Sequence, residues 1–172
     1  MPTRILLEGR PGSGKTTALR RLAALLPAGT ATGFTTEEIR EAGTRVGFAL
    51  ETLAGERRVL AHVGLPGPPR VGRYGVDLDV MEDLALPSIT GGTPHRLVLV
   101  DELGRMELAS TSFRAAVDAL FAADVDVVAT VHARPDPYTD GLKHRPDIEV
   151  VQVTPAGRDA LPGELAARLS TT

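Results

Sequence analysis

The stretch Gly9-Arg10-Pro11-Gly12-Ser13-Gly14-Lys15-Thr16-Thr17 constrains this chain more than any other feature. Its first eight residues fit G-x-x-x-x-G-K-[ST], and the flanks fit too. Arg4 to Glu8 reads as a short buried strand, and Lys15 to Leu26 as a helix with Leu19, Leu22, Ala23 and Leu26 on one apolar stripe. Gly9, Gly12 and Gly14 let the backbone turn tightly, so that successive N–H groups converge on one concavity where an anion can sit. The new helix brings its positive dipole end to the same place. Lys15 supplies a compact, mobile charge for β- and γ-phosphates, and the Thr16 hydroxyl suits a Mg²⁺ ligand position. Only two of the nineteen basic residues are Lys, at 15 and 143. In a chain that otherwise writes its positive charge as Arg, a Lys at this position reads as a chemical requirement. The loop predicts a cradle for a nucleoside triphosphate.

With 172 residues, 42% hydrophobic and 24% charged, the chain is expected to fold as one domain over 1–172 with a core of its own. Aromatic residues make up 3%, so that core must rest on Leu, Val and Ala. The absence of cysteine excludes disulfides and thiolate metal sites and matches a reducing cytoplasm, the expected location. The first strand begins at once, so no leader is expected, and apolar runs such as Val125 to Val131 are too short to span a bilayer. A net charge of −3 argues against nucleic-acid binding through a generally basic surface.

Along the chain, Thr30 to Thr36 reads as a strand leading into a polar stretch, Glu37 to Gly43. Arg45 to Leu53 and Arg57 to Val63, joined through Ala54-Gly55-Glu56, read as an antiparallel hairpin inserted on one side of the sheet, about 45–63. Gly64 to Gly75 is rich in Gly and Pro and is expected to lack regular structure, with Arg70, Arg73 and Tyr74 placed to reach a ligand or simply solvated. Asp77 to Leu86 reads as a short helix ended by Pro87, and Ser88 to Thr93 as a turn. Leu97 to Val100 is a buried parallel strand, Phe113 to Ala122 a helix, and Val125 to Val131 a second buried strand ending at His132. Ala133 to Pro146, with Arg134, Lys143, His144 and Arg145, reads as a basic loop or lid. Ile148 to Val153 and Leu161 to Leu169 are the last strand and helix. The alternation predicts a mainly parallel sheet with helices on both faces.

The strand 97–100 ends in Asp101-Glu102. Ligands of open α/β sheets bind at the carboxyl ends of strands, so Asp101 is expected beside Thr16 on the metal side. Glu102, next to it, is placed to orient a water for in-line attack on the γ-phosphate, which favours hydrolysis over transfer. Further cations for the transferred phosphoryl group could come from Arg40, Arg45, Arg73, Arg105, Arg134 or Lys143, and spacing does not choose among them. His132 could sense the γ-phosphate or be structural. The spacing of His62, His95, His132 and His144 does not make a zinc site.

Several segments together resemble the small THEP-type nucleoside triphosphatases: GRPGSGKTT at 9–17, GFTTEEIREAGTRVGF at 33–48, GRYGVDL at 72–78, LVLVDELGRMEL at 97–108 and ATVHAR at 129–134. The resemblance implies a RecA-like P-loop fold with an added antiparallel hairpin and central strand order 5-1-4-3-2. It implies Mg²⁺-dependent hydrolysis of ATP, GTP and other triphosphates, with loose base selectivity. By the resemblance, the nucleotide-binding segments are the loop from Gly9 and the run Val98-Leu99-Val100-Asp101-Glu102-Leu103-Gly104-Arg105, with Thr16 and Asp101 on the metal and Lys15 and Glu102 in catalysis. Glu107 matches the family's second acid. Members resemble T-x-x-N-R-[DE] after the last strand, whereas this chain has Thr154-Pro155-Ala156-Gly157-Arg158-Asp159, and Gly157 has no side chain to bond a base edge. The expected molecule is a monomeric hydrolase. A nucleotide or metabolite kinase with 133–146 as its lid, and a slow nucleotide-driven switch, are the alternatives.

Overall fold

In the computed structural model, which describes residues 1–90 and 96–170, nine strands form one sheet. The elements are β1 (Arg4–Gly9), α1 (Lys15–Leu25), β2 (Ala31–Glu41), β3 (Thr44–Thr52), β4 (Arg57–His62), β5 (Arg70–Val71), β6 (Tyr74–Val76), α2 (Leu78–Val80), α3 (Leu86–Ile89), β7 (Leu97–Val100), α4 (Thr111–Ala122), β8 (Asp126–His132), α5 (Pro137–Lys143), β9 (Glu149–Gln152) and α6 (Leu161–Ser170). The sheet runs β5-β6-β4-β3-β2-β7-β8-β1-β9. From β2 to β9 the pairing is parallel, and numbering those five strands in chain order gives 5-1-4-3-2, as expected.

The continuous apolar runs are explained by burial on both faces. Ile5, Leu7, Leu99 and Val128 pack under Ala18, Leu19 and Leu22 of α1 and Leu165 of α6. Leu6, Val98, Val100, Val127 and Ala129 point the other way, toward Phe113, Val117 and Phe121 of α4. Phe34 meets Phe113 edge to face, with ring centroids 5.7 Å apart.

Several boundaries differ from expectation. The polar stretch 37–41 is strand. Past Phe34, which pairs with Val100, β2 leaves the parallel ladder and continues against β3, turning through Ala42-Gly43. Its polarity reflects a position beyond the packed layers. The hairpin of β3 and β4 is thus no appendage beside the sheet but its antiparallel continuation. Within 64–75, β5 and β6 make a small hairpin of their own, with Arg70 opposite Gly75 and Val71 opposite Tyr74.

Pro87 does not end its helix. A π-helical turn, Met81–Ala85, bridges α2 and α3, and the Leu86 N–H closes it on the Met81 carbonyl. Where the regular i−4 pairing is already given up, a residue without an N–H is accommodated. The turn expected at Ser88 to Thr93 begins in helix at Ser88 and Ile89, and its last three residues lie outside the described residues. The basic segment 133–146 contains α5, which Asp136 starts by accepting from the Tyr138 and Thr139 amides at 3.0 and 3.1 Å, with Pro137 in the first turn. No helix of the described residues is long and apolar enough to cross a membrane.

Candidate active site

The carboxyl ends of β1, β7 and β8 lie side by side, and the phosphate loop rises from the first of them. Gly12 and Gly14 take φ of 78° and 101°, left-handed values that favour glycine. A β-carbon on Gly9 would come within 2.3 Å of Ser13 Oγ, so Gly9 is what lets the loop fold back on itself. Ser13 Oγ is buried and finds no hydrogen-bond partner among the described residues, and a polar atom left so in an anion cradle marks a donor for the anion. Lys15 is 8% exposed. Its Nζ donates to the Gly9 carbonyl at 2.8 Å and pairs with Glu102 Oε2 at 3.2 Å.

Asp101, fully buried at the end of β7, is gripped from three elements. Thr130 Oγ1 of β8 donates to its Oδ1 at 2.7 Å and Thr16 Oγ1 at 3.1 Å, while the Thr36 amide of β2 donates to Oδ2 at 3.1 Å. Burial pushes this carboxyl above the ordinary Asp range, and the hydrogen bonds from Thr130, Thr36 and Thr16 oppose that shift. Thr16 and Asp101, expected on one metal, are thus brought together, with hard oxygen atoms facing each other. Among the described residues no cluster of three or more His, Cys, Asp or Glu could hold a metal.

The other expected residues sort clearly. Val98, Leu99 and Val100 are buried in the sheet, where they carry Asp101 to the edge, and Leu103 is likewise in the core. Gly104 follows, and Arg10 and Arg105 are exposed. Thr17 lines a crevice of about 240 Å³ with Gly14, Ala18, Arg21, Arg158 and Asp159. His132 stands beside Gly9 in the ladder, and its Nδ1 is buried without a partner among the described residues.

Several basic candidates are engaged elsewhere. Lys143 is held by Glu8 Oε2 at 2.5 Å and the His132 carbonyl at 2.9 Å. Arg45 lies between Glu38 and the Tyr74 phenol, Arg73 bonds the Arg45 carbonyl, and Arg40 pairs with Glu38 at 2.8 Å. Arg70 is spent on the Leu65, Pro66 and Arg73 carbonyls. These four arginines and Tyr74 knit the antiparallel edge and do not reach the loop; Arg134 is exposed. Of the four histidines, residue 95 lies outside the described residues.

Sequence reasoning missed Thr36 and Thr130. The only signal for Thr130 was a hydroxyl inside an otherwise apolar strand. Removing it by Thr130→Val leaves a buried carboxylate short of one donor, and unfolding by urea should then show a loss of about 1–3 kcal/mol.

Glu107 is also buried, and burial with the nearby Glu102 and Asp101 charges raises its carboxyl from 4.5 to about 8. The unfolded chain therefore releases this proton near 4.5 while the folded chain keeps it to about 8. Glu107 thus contributes stability that is full at acidic pH and is lost as pH rises through that window. Melting temperature should fall over this range, and Glu107→Gln should flatten the fall.

The model of the family described as NTPase matches residues 4–166. The nucleoside-triphosphatase THEP1 of Thermotoga petrophila is 43% identical over 163 residues, covering 94% of this chain and 90% of that protein. The human cancer-related nucleoside-triphosphatase is 36% identical over 177 residues, covering 94% and 93% of the two chains. The crystal structure of THEP1 from Aquifex aeolicus superposes with a TM-score of 0.89 at 30% identity, over 97% of this chain and 99% of that one.

Proposed function

The chain belongs to this NTPase family, whose relatives include the THEP1 and cancer-related nucleoside-triphosphatases, and from that premise we propose that it hydrolyses ATP, GTP and related triphosphates to nucleoside diphosphate and phosphate, with Mg²⁺ as cofactor and Glu102 orienting the water. The observation that carries the finer part is the place of Glu102. It follows the buried Asp101 directly, keeps 29% of its side chain open to solvent, and has one oxygen on Lys15 at 3.2 Å. An arriving triphosphate competes for Lys15, and its release frees Glu102 to accept a hydrogen bond from a water. Attack forms a bond from the water oxygen to the γ-phosphorus as the bond to the β–γ bridging oxygen breaks; the water's proton passes to Glu102 and the nucleoside diphosphate leaves. Thr16 and Asp101 would hold Mg²⁺, which when bound offsets charge on the β- and γ-phosphates.

The loop amides, Ser13 Oγ and Lys15 bind and orient the phosphates. Loose base selectivity is supported by the loop after β9, where Gly157, next to the Arg158 that walls the crevice beside Thr17, offers no amide side chain. The kinase alternative needs 133–146 to close as a lid. That stretch is anchored by α5 and by Lys143 on Glu8, which favours hydrolysis.

Product partition tests the reading. With Mg·ATP or Mg·GTP and no acceptor, the protein should release equimolar phosphate and nucleoside diphosphate, at rates within about tenfold for the two bases, since a site without dedicated hydrogen bonds to a base edge discriminates little. Chelation with EDTA should stop turnover. Product that forms only with an added acceptor would assign the chain to the phosphotransferases. Turnover that needs a partner protein would make it a switch.

A further inference from the structure

Glu107 has no task in the reaction so far, yet its position is specific. It opens the 3₁₀ turn Glu107–Ala109, is 6% exposed, and has its own amide and that of Gly104 near its carboxyl. A β-carbon on Gly104 would stand 2.9 Å from Glu102 Oε1 and 3.0 Å from Glu107 Oε2. The two carboxyl groups therefore flank the bare α-carbon of Gly104, close enough for a direct or single-water hydrogen bond after a small rotation. Glu102 has its other oxygen, Oε2, on Lys15. It thus stands between the loop lysine on one side and Glu107 on the other. Once Lys15 turns to the phosphates, the Glu107 side remains.

We infer that Glu107 is a positioning residue for Glu102, whose side chain hydrogen-bonds the water-orienting carboxylate and aims it at the γ-phosphate across a gap that Gly104 keeps open. The ionisable groups facing Glu107 among the described residues are the carboxyl groups of Glu102 and Asp101. A second ionised carboxylate would repel Glu102 from the place it must occupy, whereas a neutral carboxyl holds it there. A base fixed on one side by such a contact loses little orientation when its lysine leaves, and misplacement by about 1 Å costs on the order of 10²-fold in rate. The glycine at 104 has the same explanation: its φ is not left-handed, so any methyl there is excluded by the two carboxyl groups and not by the backbone.

The inference rests on the hydrolase reading with Glu102 at the water, and steady-state phosphate release by the full chain separates the two. Glu107→Ala should lower kcat by about 10- to 100-fold with KM for Mg·ATP within about twofold, the mark of orientation and not of substrate binding. Glu107→Gln, which keeps an N–H donor of the same shape, should recover at least about tenfold of that loss. Gly104→Ala, which pushes a methyl between the carboxyl groups, should reproduce the kcat defect at unchanged KM. It does so without touching either carboxyl chemically, and melting curves with a fluorescent nucleotide analogue check that each variant folds and binds.

A Glu107→Gln variant as slow as Glu107→Ala would overturn the donor role, and so would a Glu107→Ala variant that keeps native kcat. If Glu107→Ala does not fold, Gly104→Ala decides alone, and native kcat there sinks the proposal. Should the native chain release no phosphate, the hydrolase reading falls and this inference with it. Should Glu102→Gln be inactive as expected while Glu107→Ala is unaffected, this inference alone falls.

Discussion

Glu102→Gln should bind nucleotide at least as tightly as the native chain and release phosphate about 10²-fold or more slowly, the scale of a lost general base. That loss corresponds to about 2.7 kcal/mol of transition-state stabilisation, well within what one positioned proton acceptor supplies. Binding should not suffer, because Glu102 Oε2 sits 3.2 Å from Lys15 and competes with the phosphates for it. The amide keeps the shape and removes the competition, so affinity rises or stays level while kcat falls. Single-turnover phosphate release measured beside equilibrium binding of a fluorescent analogue separates these effects. Turnover within a few-fold of native would remove Glu102 from the reaction and leave the water to be oriented elsewhere.

Gly33→Ala should unfold the protein at ordinary temperature or cost about 4 kcal/mol or more, the range in which a named steric mechanism is needed. Gly33 has a φ of 119°, a conformation alanine adopts only under strain, and its β-carbon would lie 1.8 Å from the Leu99 carbonyl oxygen. That oxygen is main chain of the adjacent β7, paired through Gly33↔Leu99 and fully buried at Leu99, so it cannot step aside as a flexible side chain would. By contrast, Gly29, Gly43 and Gly55 have nothing within 4 Å of a built β-carbon, and alanine there should cost only the backbone strain of about 1–2 kcal/mol. Urea or thermal unfolding of these variants side by side checks the contrast. A Gly33→Ala protein as stable as Gly55→Ala would show that the close approach to Leu99 is not real.

What the sequence made legible was carried by local pattern. The loop Gly9 to Thr16, the strand Leu97 to Val100 with its terminal acid, and the amphipathic helices each announce themselves within a dozen residues. The strand order 5-1-4-3-2 came from a resemblance between segments and not from any single spacing. The polar half of β2 was misread because polarity reports burial, and a strand overhanging the layers need not be apolar. The π turn before Pro87 was invisible because a proline normally marks an end. Thr36 and Thr130 went unnoticed for a different reason: their role is to meet Asp101 across sequence separations of 65 and 29 residues, which no local window contains.

β2 belongs to two ladders at once. Its first four residues pair in parallel with β7, and from Phe34 onward it pairs in antiparallel fashion with β3. Thr36, whose amide holds Asp101, lies just past that handover, so the residue that steadies the acid is supplied by the half of the strand that looks like an accessory. Leu50 and Leu60 of the following strands share one apolar cluster with Phe34 and Phe113. Trimming the antiparallel edge down to the five parallel strands would therefore uncover the core and loosen the acid in the same cut. The antiparallel edge is therefore structurally inseparable from the site: the acid at the end of β7 and the core beneath it both depend on strands outside the parallel five.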